Sequence, residues 1–323
     1  MSDPPGMPPA VDVIVVNFNA GEALLRCIRS VLEQDLPVSL TLVDNASTDG
    51  SAERAAAEFG GRPGFSLLRS PDNPGFATAI NRAVALSLHP SPAGDTSPPA
   101  PRPAADYLLI LNPDCELAPG ALAALCRALA ADPAAGLAGP LVTDAAGRAR
   151  RGTLRRFPDP WKSFLTFSGL WRLGRRWPRF RGVEVDGALP DAVTAAEAVS
   201  GACMLLRRSA FLAAGCMDAR YGLHCEDLDL MYRLRQGGLH CLYVPQARAV
   251  HHQGLSSRSR PLWVHWQKHR GMQRFFQKFQ ARRYTGLLGG PLGGMARWAV
   301  IAGIWARFAL TLPPILLRNL LRR

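Results

Sequence analysis

The chain has 323 residues, a hydrophobic share of 48% and a formal net charge of +13, with a mean hydropathy of +0.01. That is long enough for one large α/β domain or two ordinary ones, too polar for a polytopic membrane protein and too apolar for a disordered chain. The charge is segregated, with 16 Lys+Arg and no Asp or Glu after Asp229 and a net of −3 over residues 1–229, which argues against a uniformly basic nucleic-acid binder.

Seven scattered cysteines form no C-x-x-C pair and no zinc-spaced cluster, as expected in a reducing compartment. Residues 1–10 are Pro-rich and lack the basic and apolar regions of a secretory signal. They read as a disordered tail on a cytosolic protein.

In chain order, Val11–Val16 is β-branched and almost continuously apolar, as a strand buried on both faces should be. An amphipathic helix follows over Glu22–Leu32, a second buried strand over Leu40–Val43, a helix over Ala52–Phe59, a short strand over Phe65–Leu68 and a helix over Ala77–Leu88. Residues 89–105, dense in Pro, Ser and Ala, read as a flexible insertion before an apolar strand at Tyr107–Leu111. This β-α-β alternation predicts a mostly parallel sheet with helices on both faces. Arg148–Arg181 is basic and aromatic, and Trp298–Leu317 is apolar but interrupted by Arg307 and Pro313-Pro314.

Ligands of parallel α/β sheets bind beyond the carboxyl ends of the strands, and three polar clusters fall there: Asn17-Phe18-Asn19, Asp44 to Ser51, and Asn112-Pro113-Asp114. Asp44 could accept hydrogen bonds from a pyrimidine base, and Asp114 could hold a cation that bridges a diphosphate. Asp44, Asn45, Ser47 and Asp49 equally suit turns and helix caps, Ser51 more so, and Asp114 suits a cap for a helix near Pro119. Glu226-Asp227 precedes a short helix, Leu228–Gln236, that stops at Gly237-Gly238. Carboxylates are favoured at such a helix start without any catalytic role. Asp229 and Arg233, four apart, should form an ion pair.

The blocks VDVIVVNFN, LVDNASTDGS, NPGFATAIN, LLILNPDCEL, SGACMLLRR, GCMDARYGLHCEDLDLMYRLRQGG and AVHHQGLSS occur in that order over residues 11–257. Together they resemble family 2 glycosyltransferases of the GT-A fold, and most of all the bacterial rhamnosyltransferases. The resemblance implies a GT-A domain over 11–257 followed by a basic, helical, membrane-associating region over 258–323. It implies that Asn17 and Asn19 line a nucleotide pocket, with Asp44 on the base and Asp49 nearby. Asn73, Gly75, Phe76 and Asn81 would flank the sugar nucleotide. Asn112-Pro113-Asp114 stands where many relatives have Asp-x-Asp, which leaves Asp114 as the metal ligand for Mg²⁺ or Mn²⁺, joined by His251. Asp227 would be the general base and Glu226 its support on the acceptor side.

The expected activity is therefore inverting transfer of a sugar, L-rhamnose from dTDP-L-rhamnose, to a lipid-linked or cell-surface glycan. A sugar nucleotidyltransferase would want a Gly-rich, Lys-containing loop after the first strand, whereas Asn17–Gly21 has one Gly and no Lys. A non-enzymatic scaffold on a decayed transferase fold would be expected to lack Asp114, Asp227 or His251, and all three are present. The apolar segment with its arginines suits a helix lying in the inner leaflet against anionic lipid, so the protein is expected at the cytosolic face of the membrane; the alternative is a helix packed on the domain. The 148–181 region would join that face or close over the acceptor.

Overall fold

The computed structural model describes residues 9–88, 105–185, 188–252, 260–283 and 289–320. The tail expected over 1–10 and the insertion over 89–105 thus lie almost wholly outside the described residues, as do Gly254 and Ser256.

Strand β1 (Val11–Asn17) serves two cores. Val13 and Val15 pack with helices α1 (Glu22–Leu32) and α2 (Ser51–Phe59), while Ile14 and Val16 pack with α3 (Phe76–Leu88). Burial on both faces is why the sequence shows an unbroken apolar run here rather than alternation. Helix α1 begins after Gly21, whose φ of 59° is a left-handed conformation that side chains disfavour.

Strands β2 (Val38–Asp44), β3 (Phe65–Arg69) and β4 (Tyr107–Leu111) run parallel to β1 in the order β3-β2-β1-β4. The chain winds outward from β1 to β3 and then returns to the other side of β1, so the loops diverge above β1 and β4 and leave a crevice. The rest of the sheet is mixed. It is built from β5 (Cys115–Leu117), β6 (Ala135–Thr143), β8 (Thr194–Ala196), β10 (Cys203–Arg207) and β11 (His240–His251). Antiparallel β10 lies between β4 and β6, and β11 runs parallel to β6. A small separate sheet pairs β7 (Leu154–Arg155) with β9 (Ala198–Val199).

Helix α4 (Ala121–Ala131) covers one face of the sheet, and α6 (Arg208–Ala213) and α7 (Glu226–Gln236) cover the other. The aromatic-basic region forms α5 (Pro160–Ser168) and two short 3-10 turns. Asp229 of α7 is fully buried and meets Arg233 at 2.5 Å and Lys278 of α8 (Pro261–Phe279) at 2.6 Å. The expected i,i+4 pair is therefore part of a buried triad that ties α7 to α8. Removing one member of such a buried set costs about 3–5 kcal/mol.

Helix α9 (Gly290–Leu320) runs straight through Pro313-Pro314, where an interruption was expected. The proline ring already holds a helical φ, so the cost is confined to missing amide donors and local crowding. One side of α9 packs on α8: Ile301 and Trp305 meet Phe276, Trp305 Nε1 donates to Gln273 at 2.7 Å, and Phe308 stacks on His265. Its other sides stay open, with Trp298 and Leu310 each 68% exposed. By length and composition, Pro291–Leu316 could cross a membrane.

Candidate active site

The ends of β1 and β2 are in register, with Asn17 opposite Asp44. Asn17 is completely buried, and its amide donates to Asp44 (2.8 Å), Ser47 (2.9 Å) and Ser51 (2.9 Å). The second oxygen of Asp44 accepts the Ser47 amide at 3.2 Å. Asn19 bonds the Thr48 amide at 2.7 Å, and Asp49 accepts from Gly21 at 2.8 Å and from the Ser51 hydroxyl at 2.5 Å. Burial would raise the Asp49 carboxyl, but these hydrogen bonds outweigh it and hold the group below the usual range. Asn17, Asn19, Asp44 and Asp49 are thus tied together with Ser47, Thr48 and Ser51 at the ends of β1 and β2, where Asn17 and Asp44 form a buried hydrogen-bonded floor. Asn81 is placed elsewhere, because its amide clasps the backbone of Met217 in both directions (2.8 and 2.9 Å).

Above that floor lies a cleft of about 1410 Å³. Phe18, Asn45, Asn73, Gly75 and Phe76 line one end. Asn73 accepts from the Gly75 amide (3.1 Å) and from Asn45 (3.3 Å), and this turn needs the φ of +93° that Gly75 supplies. Sequence reading did not single out Asn45 as a site residue. Its side chain rises from the end of β2 where Asp44 turns inward, an alternation that strand geometry imposes.

Asn112 and Asp114 follow β4 and line the same cleft. The antiparallel pairing of β11 with β5 sets His251 opposite Cys115, which brings its Nε2 within 3.1 Å of Asp114 Oδ1 and 3.5 Å of the Asn112 amide. Arg150 reaches the His251 carbonyl at 2.9 Å. One carboxylate and one imidazole side by side suit a cation such as Mn²⁺ if oxygens of a bound ligand complete its shell. Among the described residues, no group of three His, Cys, Asp or Glu could hold a metal by itself.

Glu226 and Asp227 open α7 and line the same cleft. They are presented by His224 and Cys225, two successive left-handed residues (φ 67° and 71°). Gly271 of α8 lets that turn pack close, since a Cβ there would stand 2.7 Å from the His224 carbonyl oxygen. Asp227 Oδ2 is bonded to Arg155, and Oδ1 accepts the Leu228 amide at 2.8 Å. Arg155 also donates to the Val199 carbonyl at 2.7 Å. The two adjacent carboxyls diverge. Burial raises Glu226, and the Asp227 charge raises it further, to about 8. Burial would raise Asp227 too, but Arg155 overcomes it and holds the group below the ordinary carboxylate range. Arg155 is 72 residues from Asp227 in sequence, and only the general basicity of 148–181 hinted at it.

The Glycosyl transferase family 2 profile matches residues 12–211. The chain belongs to glycosyl transferase family 2. It is 32% identical over 321 residues to N-acetylglucosaminyl-diphospho-decaprenol L-rhamnosyltransferase of Mycobacterium tuberculosis H37Rv, covering 98% of this chain and 96% of that one. Among solved structures, it is similar in fold to the mannosyltransferase PcManGT of Pyrobaculum calidifontis in complex with GDP-Man and Mn²⁺ (TM-score 0.54, 19% identity, 96% of this chain and 77% of that one). It is also similar to S. aureus TarS 1-349 in complex with UDP-GlcNAc (TM-score 0.52, 12% identity, 92% and 71%). As a family 2 glycosyltransferase it has the GT-A architecture: a parallel half-sheet, a mixed second half, and a cleft across the strand ends.

Proposed function

We propose that this glycosyltransferase moves L-rhamnose from dTDP-L-rhamnose, with inversion, onto a lipid-linked, N-acetylglucosamine-terminated acceptor, and that Asp227 is the general base. The observation that carries the reading is one cleft lined by Asp114, His251 and Asp227 together. The near full-length similarity to the mycobacterial rhamnosyltransferase supports the choice of donor sugar and acceptor.

In this reading Phe18, Asn45 and Asn73 take the nucleoside, held from beneath by the floor that Asn17 and Asp44 build. Asp114 and His251 would hold a divalent cation. When bound, that cation would neutralise charge on the departing diphosphate. Asp227 accepts the proton of the attacking hydroxyl on the opposite face of the sugar. A weak base suffices there. In an oxocarbenium-like transition state the attacking oxygen becomes acidic only as its bond to carbon forms, so the proton leaves late. Arg155 keeps Asp227 ionised and fixes its direction, while Glu226, largely protonated at neutral pH, can donate a hydrogen bond to an acceptor oxygen. The exposed apolar side of α9 supports peripheral attachment to the inner face of the membrane.

The test is transfer from dTDP-L-rhamnose to a synthetic N-acetylglucosaminyl-diphospho-isoprenoid by wild type and Asp227→Asn. The amide keeps the shape but cannot accept the proton, so transfer should fall roughly 100-fold or more while donor binding persists. A variant rate near wild type would remove Asp227 from the role, and absence of transfer by the wild type would remove the substrates.

A further inference from the structure

The cleft extends well beyond the wall that holds Asp227. Its far end is roofed by α9 and walled by α5 and α8. Along α9, Ala299, Gly303, Arg307 and Leu310 lie on one stripe and line it, because residues three or four apart share a helix face. A Cβ at Gly303 would meet nothing within 4 Å, so the roof is open over that position. Across from it stand Phe164 and Phe167 of α5, which line the cleft while remaining 51% and 45% exposed. This end is therefore an apolar trough that leads from the buried site to the outer surface.

Two cations interrupt the trough. Arg307 lies in the middle of an otherwise apolar helix, with its guanidinium over the Phe167 ring at 5.5 Å. Its Nε is buried without a hydrogen-bond partner, and its Nη1 finds only the Met272 sulfur at 3.5 Å. Lys268 of α8 also lines the cleft, with its side chain accessible to solvent. The surrounding protein, and then the Arg307 charge, push its ammonium below the ordinary lysine range. Among the described residues, no carboxylate is paired with either cation; Glu184, which acts on Lys268 from a distance, is itself bonded to Arg151 at 2.6 Å. Lys268 also acts electrostatically on His224 and Cys225, the turn that presents Asp227. Two like charges on the wall of one cleft repel each other, and an anion between them relieves that repulsion.

We propose that Lys268 and Arg307 bind the diphosphate of an isoprenoid-linked acceptor, whose chain leaves along the trough between Phe164, Phe167, Gly303 and Leu310. The inference rests on the lipid-linked acceptor proposed above and adds the place where its anionic and apolar parts are held. Held this way, the sugar hydroxyl meets Asp227, the diphosphate meets Lys268 and Arg307, and the hydrocarbon meets the exposed Phe164, Phe167 and Leu310. It also gives an anionic partner to an arginine in the middle of an apolar helix, whose other contacts are the Phe167 ring and the Met272 sulfur.

The test is binding of farnesyl diphosphate to the full chain in detergent, with dTDP and Mn²⁺ saturating so that the donor end is filled, followed by tryptophan fluorescence. Wild type should bind it at least ten-fold more tightly than farnesol and than inorganic pyrophosphate. Arg307→Gln with Lys268→Met should lose at least ten-fold, while Arg307→Lys retains most of the affinity. Circular dichroism and thermal melting verify that each variant is folded. Equal affinity of the double variant and wild type overturns the proposal. So does equally strong displacement by phosphatidylglycerol, which would make this a site for bulk headgroups. If the probe binds through these residues but no lipid-linked sugar is ever glycosylated, the acceptor reading fails and the diphosphate–isoprenoid site stands.

Discussion

Gly201 allows a direct test of how much the placement of Asp227 matters. Its φ lies outside the left-handed region, so alanine is permitted by the backbone and only the new methyl group is at issue. That methyl would fall 2.5 Å from Asp227 Oδ2, 2.8 Å from its Cβ and 2.9 Å from its Cγ. Ordinary contact begins at 3.4 Å, so the carboxylate must retreat by about 0.9 Å or swing off Arg155. A misplacement of about 1 Å at a reacting group costs on the order of 100-fold in rate. Overpacking of this kind costs about 1–3 kcal/mol of stability, a fall of roughly 2–12 °C in Tm for a domain of this size. Initial rates with saturating dTDP-L-rhamnose and lipid-linked acceptor should therefore show kcat down about 100-fold in Gly201→Ala, with calorimetric donor affinity within two-fold of wild type. A folded Gly201→Ala enzyme with kcat within three-fold of wild type would refute the claim that Asp227 acts from this position.

Chelation with EDTA should suppress transfer and Mn²⁺ or Mg²⁺ should restore it, while Asp114→Ala should weaken binding of the nucleoside diphosphate, measured by calorimetry in the presence of the cation. Glu226 is raised to about 8 from an unfolded value of 4.5, so the folded state holds its proton where the unfolded chain has released it. Its contribution is fully present below pH 4.5 and is lost as pH rises through 8, at up to about 1.4 kcal/mol per pH unit; melting curves between pH 5 and 8 should fall with pH in wild type and flatten in Glu226→Gln. Vesicles of phosphatidylglycerol should bind the protein more than phosphatidylcholine does, and Met295→Glu with Trp298→Glu, both on the open side of α9, should release it. Sedimentation of that variant with anionic vesicles at the wild-type level would place the anchor elsewhere, most directly on Trp161 and Phe164 of α5.

The parallel half of the fold was legible because each strand in it is short, apolar and bounded by a helix of clear period. The second half was not. Strand β6 reads Ala-Gly-Leu-Ala-Gly-Pro-Leu-Val-Thr, with small residues where β-branched ones would announce a strand. They are small because space is short: a Cβ at Gly139 would lie 2.6 Å from the Val199 side chain. Tertiary crowding chose those residues, and propensity does not record crowding. The polar strand ends were legible as a site but not in their parts. Asn17 and Asp44 carry the right chemistry for ligand recognition, yet period-two alternation turns both inward and turns Phe18 and Asn45 toward the cleft.

Glu226 and Asp227 show why adjacency in sequence says little about roles. Glu226 is buried and Asp227 half-buried at the same helix start, where the helix dipole favours a negative charge on either. What separates them is Arg155, delivered by strand β7 and oriented by the Val199 carbonyl. It hydrogen-bonds Asp227 and not Glu226, so Asp227 keeps its charge while Glu226, buried beside that charge, holds a proton. The pair then presents one acceptor and one donor to whatever hydroxyl enters between them, a division of labour set by a long-range contact. The same logic governs the outer cleft. Lys268 and Arg307 lie on separate helices, and only their convergence on one apolar space makes an anion site out of two ordinary basic residues.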